Sequence, residues 1–511
     1  MRLLMNDNST DPPNEAEPGS LRQKAFWGAA IMVATRFSVR FLGLISAAFL
    51  ARLLTPEDFG LFGTAALALS FFLLIKEVGM SEAVIKQQDL TKQDLDTLWT
   101  IRFLLSFLSA GALLIAAPFI AIFLKDPRVL AVLQIMALVP VIDSFASPAS
   151  ALMLRDFKFG SDFLLKSSDK LVRVIAVIGV ALILRSYWAL VFGALLASVF
   201  GVIISHIARP YRPKFTLINH RDHINFALWT YVRNVANYVA RSSDEFIVRG
   251  MASTSFFGFY HMSRDLGRTL IGELITPVGE AMLPALSKMQ QDPARLAAAI
   301  SNVFGAALIV GTAVSFGVAV TAHELVLVIL GDQWMAAAPF LTMLAVGCAC
   351  NSIGEINRSS FIAAGLAKTS TNFWLLRALI YSIGCLIAGL YAGPTEIALT
   401  FSALSVCMLF IEARHLFRVL GLPARILSLA VRPLLSGLTM VAAVYFLPLP
   451  DTFPLVVILL SKAGTGALAF GAAAVLLWKI GGYQDGPELT VYASLPEKLR
   501  AILPIQPLKK Q

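Results

Sequence analysis

The sequence predicts an all-α polytopic membrane protein of about fourteen transmembrane helices, arranged as two six-helix lobes in pseudo-twofold relation plus two C-terminal helices. Recurrent apolar runs of spanning length, a low charge content and a weak internal repeat predict it. The 511-residue chain is 57% apolar and 14% charged, with mean hydropathy +0.74, well below the roughly 25% charge of soluble domains. Runs such as LLSFLSAGALLIAAPFIAIFL and FPLVVILLSKAGTGALAFGAAAVLLW reach the about 20 residues that cross an about 30 Å hydrocarbon layer as helix. Alternating strands of about ten residues are not evident, so the spans are read as helical.

Residues 1–24 are polar and mixed in charge, and read as a cytoplasmic tail with no removable signal peptide. Apolar windows place the N-lobe, 25–206, with helices at 25–52, 59–76, 98–124, 129–152, 163–184 and 187–206. A basic link, 207–224, contains RPYRPKFTLINHRDH; it reads first as an orientation signal and second as a contact for anionic headgroups. The C-lobe, 225–420, has helices at 225–250, 266–286, 297–322, 336–356, 371–392 and 396–415. Helices 427–447 and 454–478 fill 421–480, and 481–511 is a second tail. Even parity puts both termini on one side. Most Lys and Arg outside the spans fall in the tails and even-numbered connections, which makes that side cytoplasmic.

The first span ends ARLLTPEDFGLFG and the seventh ends VRGMASTSFFGFYH, so Arg52 matches Arg249 and Phe59-Gly60 matches Phe257-Gly258 after one inserted residue. Arg36 and Arg233 stand at the same distance upstream, and EAVIKQQD (82–89) resembles PALSKMQQD (284–292). Six spans per copy is even, so both copies enter the membrane the same way up. The first and seventh spans are then expected to face each other across a central cleft.

These two spans are also the charged ones. Arg36 and Arg40 form one stripe, and Arg233, Asn237 and Arg241 form another, continued by Asp244 and Glu245. A charge at bilayer depth costs at least about 2.5–3.5 kcal/mol, so these groups must face protein or water. One reading lets acids neutralise them: Arg241 reaches Asp244 or Glu245 along its own helix, while Glu273 and Glu280 lie at the depths of Arg241 and Arg233. The other gives Arg36, Arg40, Arg233, Asn237 and Arg241 a hydrated cavity in which guanidinium forks receive an anion such as phosphate. Asp143 stands alone in the fourth span and, with Asp244, Glu245, Glu273 and Glu280, is a candidate ion or proton site. Lys462 has no evident partner.

Catalysis finds no candidate constellation. The G-x-x-x-x-G-K-[ST] loop of ATPases is missing, and GLAKTS (365–370) lacks its first glycine and spacing. DLD (94–96) reads as a helix cap rather than a metal site, and Cys348, Cys350, Cys385 and Cys407 read as small packing residues without ligand spacing. No metal, no cofactor and no nucleic-acid partner are expected.

LLTPEDFGLFG, EVGMSEAVIKQQDLT, DEFIVRGMASTSFFGFYHMSRDL, MLPALSKMQQDPARL and ILGDQWMAAAPFLTML resemble the polysaccharide transporter family of Wzx-type oligosaccharide flippases, within the group that includes multidrug extruders and lipid II flippases. The resemblance covers roughly residues 25–420. It implies two lobes around a cationic cavity in the bacterial inner membrane, and alternating access that carries a polyprenyl-pyrophosphate-linked oligosaccharide outward. It also implies membrane lipids, a polysaccharide polymerase and chain-length machinery as partners, and assigns the pyrophosphate to Arg36, Arg40, Arg233 and Arg241. The family usually shows an asparagine before the aspartate of the seventh helix, where Ser243 stands here. The rival readings are a lipid II flippase, a multidrug extruder with an acidic cavity, and, more remotely, a membrane glycosyltransferase or polymerase.

Overall fold

The computed structural model describes residues 38–76, 92–148, 159–208, 210–217, 220–289, 291–422, 425–448, 450, 452–481 and 487–488; over 159–166, 220–230, 276–285, 287–288 and 425–428 only the backbone is described. Every regular element among them is helical. In chain order they are α1 (38–53), α2 (Pro56–Leu73), α3 (Lys92–Phe123), α4 (Arg128–Met136), α5 (Leu138–Ser144), α6 (Phe159–Leu184), α7 (Trp188–Ala208) and α8 (His220–Met251). They continue as α9 (Thr254–Lys288), α10 (Pro293–Val320), α11 (Ala322–Ile329), α12 (Ala338–Ala363), α13 (Ala367–Tyr391), α14 (Glu396–Val419), α15 (Arg425–Tyr445) and α16 (Leu455–Ile480). Among the described residues, eight helices are long and apolar enough to cross a membrane. At 32 residues, α8 is roughly 48 Å long; its charge, not its length, separates it from that set.

The TPED of the quoted motif is a helix start. Thr55 Oγ1 accepts from the Asp58 amide at 3.2 Å while the Asp58 carboxylate accepts from the Thr55 amide at 2.9 Å, and Pro56 occupies the first turn, where its missing N–H costs nothing. The second copy starts α9 with half of that device, Ser253 Oγ accepting from the Phe256 amide at 3.2 Å.

Helices α2 to α7 pack on one another, with α3 against α4 and α5, and α6 against α7. In the second group α12 is central, touching α9, α10 and α14, while α8 lies along α13. The α15–α16 pair rests on α10 and α11. Contact between the two groups concentrates where α2 meets α9. There the glycines paired by the repeat meet each other: a Cβ on Gly60 would stand 1.9 Å from the Thr254 carbonyl oxygen, and one on Gly258 would stand 1.9 Å from that of Pro56. No side chain fits at either position.

The GDQW segment fastens the second group to the first. Gly331 adopts φ +99°, a conformation that favours glycine. Trp334, fully buried, donates Nε1–H to the Ala51 carbonyl at 2.8 Å, and the Gln333 amide donates to the carbonyls of Ala51 and Leu54. The last carbonyls of α1, which have no partner in their own helix, are satisfied this way. Edge-to-face contact of Phe59 with Trp334, centroids 5.2 Å apart, adds to the junction.

Three expectations are refined. The span 129–152 divides into α4 and α5 with a break at Ala137. Asp94 of the DLD triplet lies in the first turn of α3, and Asp96 also anchors the basic link: its Oδ1 accepts from Tyr211 Oη–H at 2.8 Å and from the Lys214 amide at 3.0 Å. Burial and this carboxylate both raise the Tyr211 phenol pKa. Cys348, Cys350 and Cys385 are buried as packing residues should be, whereas Cys407 is exposed.

Candidate functional site at the seams between the helix groups

Two cavities flank the α2–α9 junction. One, of about 180 Å³, lies on the seam between α1 and α9 and is lined by Arg40, Gly43, Leu44, Lys170, Asp265 and Thr269, among others. The Nε of Arg40 stands 2.8 Å from Glu273 Oε1, yet its side chain remains 53% exposed. A turn away Arg268 pairs with Asp265 at 2.9 Å, both half exposed. Arg40 and Arg268 are thus matched but still accessible.

On α8, Arg241 pairs with Glu355 of α12 and is 45% exposed. Just beyond it, Asp244 is fully buried, accepting from Tyr260 Oη–H at 2.6 Å and facing Arg264 Nη1 at 2.7 Å. Glu245 meets His261 Nδ1 at 2.6 Å and Arg264 Nε at 3.7 Å. His261, on α9, in turn packs against α2, where a Cβ on Gly63 would come within 2.9 Å of its ring. This acid pair is therefore tied into the contact between the two helix groups.

Deeper in the second group, Glu412 accepts from Arg358 Nη1 at 3.0 Å on both oxygens and from Arg377 Nη1 at 3.4 Å. Arg377 also donates to Tyr381 Oη at 2.7 Å and to Asn351, and Trp374 lies under Arg358 at 3.9 Å. All three charged groups are buried. Removing one partner of such a group leaves an uncompensated buried charge, at a cost of about 3–5 kcal/mol.

Several expected partnerships are corrected. Arg241 pairs with neither Asp244 nor Glu245, because α9 brings Arg264 and His261 to those acids first. Glu273 serves Arg40 rather than Arg241. Asp143 is not alone: Lys76 Nζ lies 3.4 Å from its carboxylate, and Arg102 Nη2 donates to its backbone carbonyl at 2.5 Å. Lys462 pairs with Glu324 at 2.6 Å, joining α16 to α11. Arg233 is half-buried on α8, and the Asn237 side-chain oxygen is buried with no hydrogen bond among the described residues. Arg36 and the Glu280 side chain lie outside the described residues.

Lys170, His261, Arg264, Arg268, Glu355, Arg358, Arg377 and Glu412 escaped the sequence reading. A signal existed for three of them, since His261, Arg264 and Arg268 recur at one-face helical spacing on α9. Among the described residues no group of three or more His, Cys, Asp or Glu could hold a metal ion.

A profile of the family described as "Polysaccharide biosynthesis protein" matches residues 49–339, more than half of the chain. The chain belongs to that family. Among curated relatives, it is 22% identical over 390 residues to Lipopolysaccharide biosynthesis protein WzxC of Escherichia coli (strain K12), covering 75% of this chain and 78% of that one. It is 24% identical over 416 residues to Succinoglycan biosynthesis transport protein ExoT of Rhizobium meliloti (strain 1021), covering 80% and 83%. Among solved structures the fold is similar to that of the lipid II flippase MurJ in an inward closed conformation, with TM-score 0.72 and 16% identity over 88% of this chain and 99% of that one. An inward-facing multidrug resistance transporter of the MATE family matches with TM-score 0.55 and 13% identity over 76% and 99%. The family member in hand thus has a helical fold shared with membrane transporters.

Proposed function

We propose that this chain is a flippase of the bacterial inner membrane, moving a polyprenyl-pyrophosphate-linked oligosaccharide repeat unit to the outer leaflet for surface polysaccharide synthesis. Fourteen spans with cytoplasmic termini form two lobes, 25–206 and 225–420, that alternate access by rocking about the α2–α9 junction. The cargo's charged head cannot enter hydrocarbon, so a wet basic slot between the lobes carries it while the tail stays in lipid. Arg36, Arg40, Arg233, Asn237 and Arg241 bind the head. Glu273 and the Asp244–Glu245 pair are the coupling acids we favour over Asp143, whose carboxylate is occupied by Lys76.

One observation carries this reading: Arg40 and Arg241 sit on apolar-flanked helices, yet keep 53% and 45% of their side chains exposed beside carboxylates supplied by other helices. An arginine with a displaceable acid can exchange that partner for phosphate without passing through an unpaired state, and can release it again. The relatives named for lipopolysaccharide biosynthesis and for succinoglycan transport support the substrate class. Cells lacking the chain should accumulate lipid-linked repeat units with heads on the cytoplasmic face and display no surface polymer. Surface polymer at normal levels, or a phenotype limited to sensitivity to toxic cations, contradicts the proposal.

A further inference from the structure

The seam on the other side of the junction, between α2 and α8, holds a cavity of about 710 Å³ completed by α3 and α13. Leu67, Phe71, Phe119, Phe123, Phe246 and Leu386 form much of its wall, and most of them are more than 40% exposed. Its size falls within the range of small-molecule sites, about 300–1,000 Å³. At the end nearest Gly60 and Gly258 it shares Leu124 and Arg249 with a second cavity of about 500 Å³. That bay is polar, lined by Glu57, Lys125, Asp126, Arg128 and Thr254, so three cations face two carboxylates. Arg249 stands at the boundary, its Nε donating to Thr64 at 2.7 Å and its Nη2 to Thr254 at 3.2 Å.

The two seams are equivalent in the repeat. Aligned on Gly60 and Gly258, Thr64, Leu67, Ala68 and Phe71 of the apolar cavity correspond to Met262, Asp265, Leu266 and Thr269, and all four of the latter line the polar one. The repeat thus presents the same helix face, of α2 and of α9, at both seams. At this copy, however, an acid and a hydroxyl are replaced by leucine and phenylalanine, so the groove accepts hydrocarbon.

We infer that the α2–α8 seam is a binding site for the tail of a polyprenyl phosphate-class lipid, whose anionic head lies in the adjoining bay against Lys125 and Arg128. The inference rests on the proposed function and extends it: the seam receives the carrier chain at the end where its head emerges. An apolar slot opening into a net cationic bay is complementary to one amphiphile placed across both, and its position at the lobe contact links occupancy to their relative motion.

The test uses the full-length chain in nanodiscs of phosphatidylcholine, with a polyprenyl phosphate that carries a photoactivatable diazirine in its tail. Crosslinks are expected on α3 and α8 around Phe119 and Phe246. Unlabelled polyprenyl phosphate should compete them away, and an equal amount of phosphatidylglycerol should not. Either of two slot-filling variants, Ala116→Trp or Leu386→Trp, should reduce labelling about fivefold while the chain keeps its melting temperature; using both guards against misfolding of one. Labelling spread evenly over all lipid-facing helices, or competed equally by phosphatidylglycerol, overturns the inference. Loss of surface polymer in the deletion strain with such uniform labelling would leave the flippase reading standing without this site. Specific labelling with undiminished polymer would support the site and remove the flippase reading.

Discussion

Along the α1–α9 seam the α9 wall carries Asp265 and Thr269, with Arg40 and Lys170 beside them, whereas the repeat-equivalent α2 positions of the α2–α8 seam carry Leu67 and Phe71, with Phe246 and Ile247 beside them. The internal repeat relates the α2 and α9 walls of the two seams, and both seams border the glycine contact that joins the helix groups. The backbone approach is the same in both copies, 1.9 Å from a Cβ on Gly60 or on Gly258 to the facing carbonyl oxygen, while the side chains along the two seams differ. An amphiphile is itself unequal at its two ends, so a carrier with two identical seams would serve one end badly.

The largest effect is expected where the comparison is anchored. Gly60→Val or Gly258→Val forces a side chain into a backbone carbonyl, and overpacking on that scale costs about 3 kcal/mol or more. Either variant should lower both the melting temperature in detergent and the amount of folded chain in membranes; wild-type melting would mean that the two groups separate freely at this point. Next comes the exposed arginine of α8. Arg241→Ala should reduce delivery of surface polymer by about tenfold or more, the equivalent of losing one charge-assisted phosphate contact of roughly 1.5–3 kcal/mol, with normal membrane insertion. Retained delivery would make that pair purely structural.

A smaller effect is expected at the polar bay beside the apolar seam. Burial alone would raise the Asp126 carboxyl, but hydrogen bonds and charge from Arg128 outweigh it and hold the group below the usual carboxylate range. A carboxyl whose pKa is lowered by folding contributes stability above its unfolded value, and that contribution disappears as pH falls through the folded one. Asp126→Asn should therefore lower the melting temperature at neutral pH, with the difference from wild type shrinking below about pH 4. A difference that persists at lower pH would contradict the role given to the carboxylate.

The sequence made the helices, the repeat and the charged faces legible, because apolar length and arginine at bilayer depth are strong signals with few alternative causes. TPEDFG was visible as a motif, and its capping role was implicit in Thr55-Pro56 followed by Asp58. Pairing was not legible. Arg241 had acids three and four residues away on its own helix, but which acid it meets depends on the rotation of α9 and α12 around α8, set by packing spread over the whole second group. Asp143 read as isolated for the same reason, since Lys76 lies far from it in sequence. The apolar seam left no signal: leucine and phenylalanine facing a cavity look the same in sequence as leucine and phenylalanine facing lipid.

The most direct test removes both charges of the Arg40–Glu273 pair at once. Arg40→Gln with Glu273→Gln leaves no unpaired carboxylate, so a pair that serves only to hold α1 against α9 should tolerate the change. Near wild-type membrane levels and melting temperature are expected, together with loss of polymer delivery and build-up of lipid-linked repeat units on the cytoplasmic face. Delivery at the wild-type rate from that double variant would contradict the proposal.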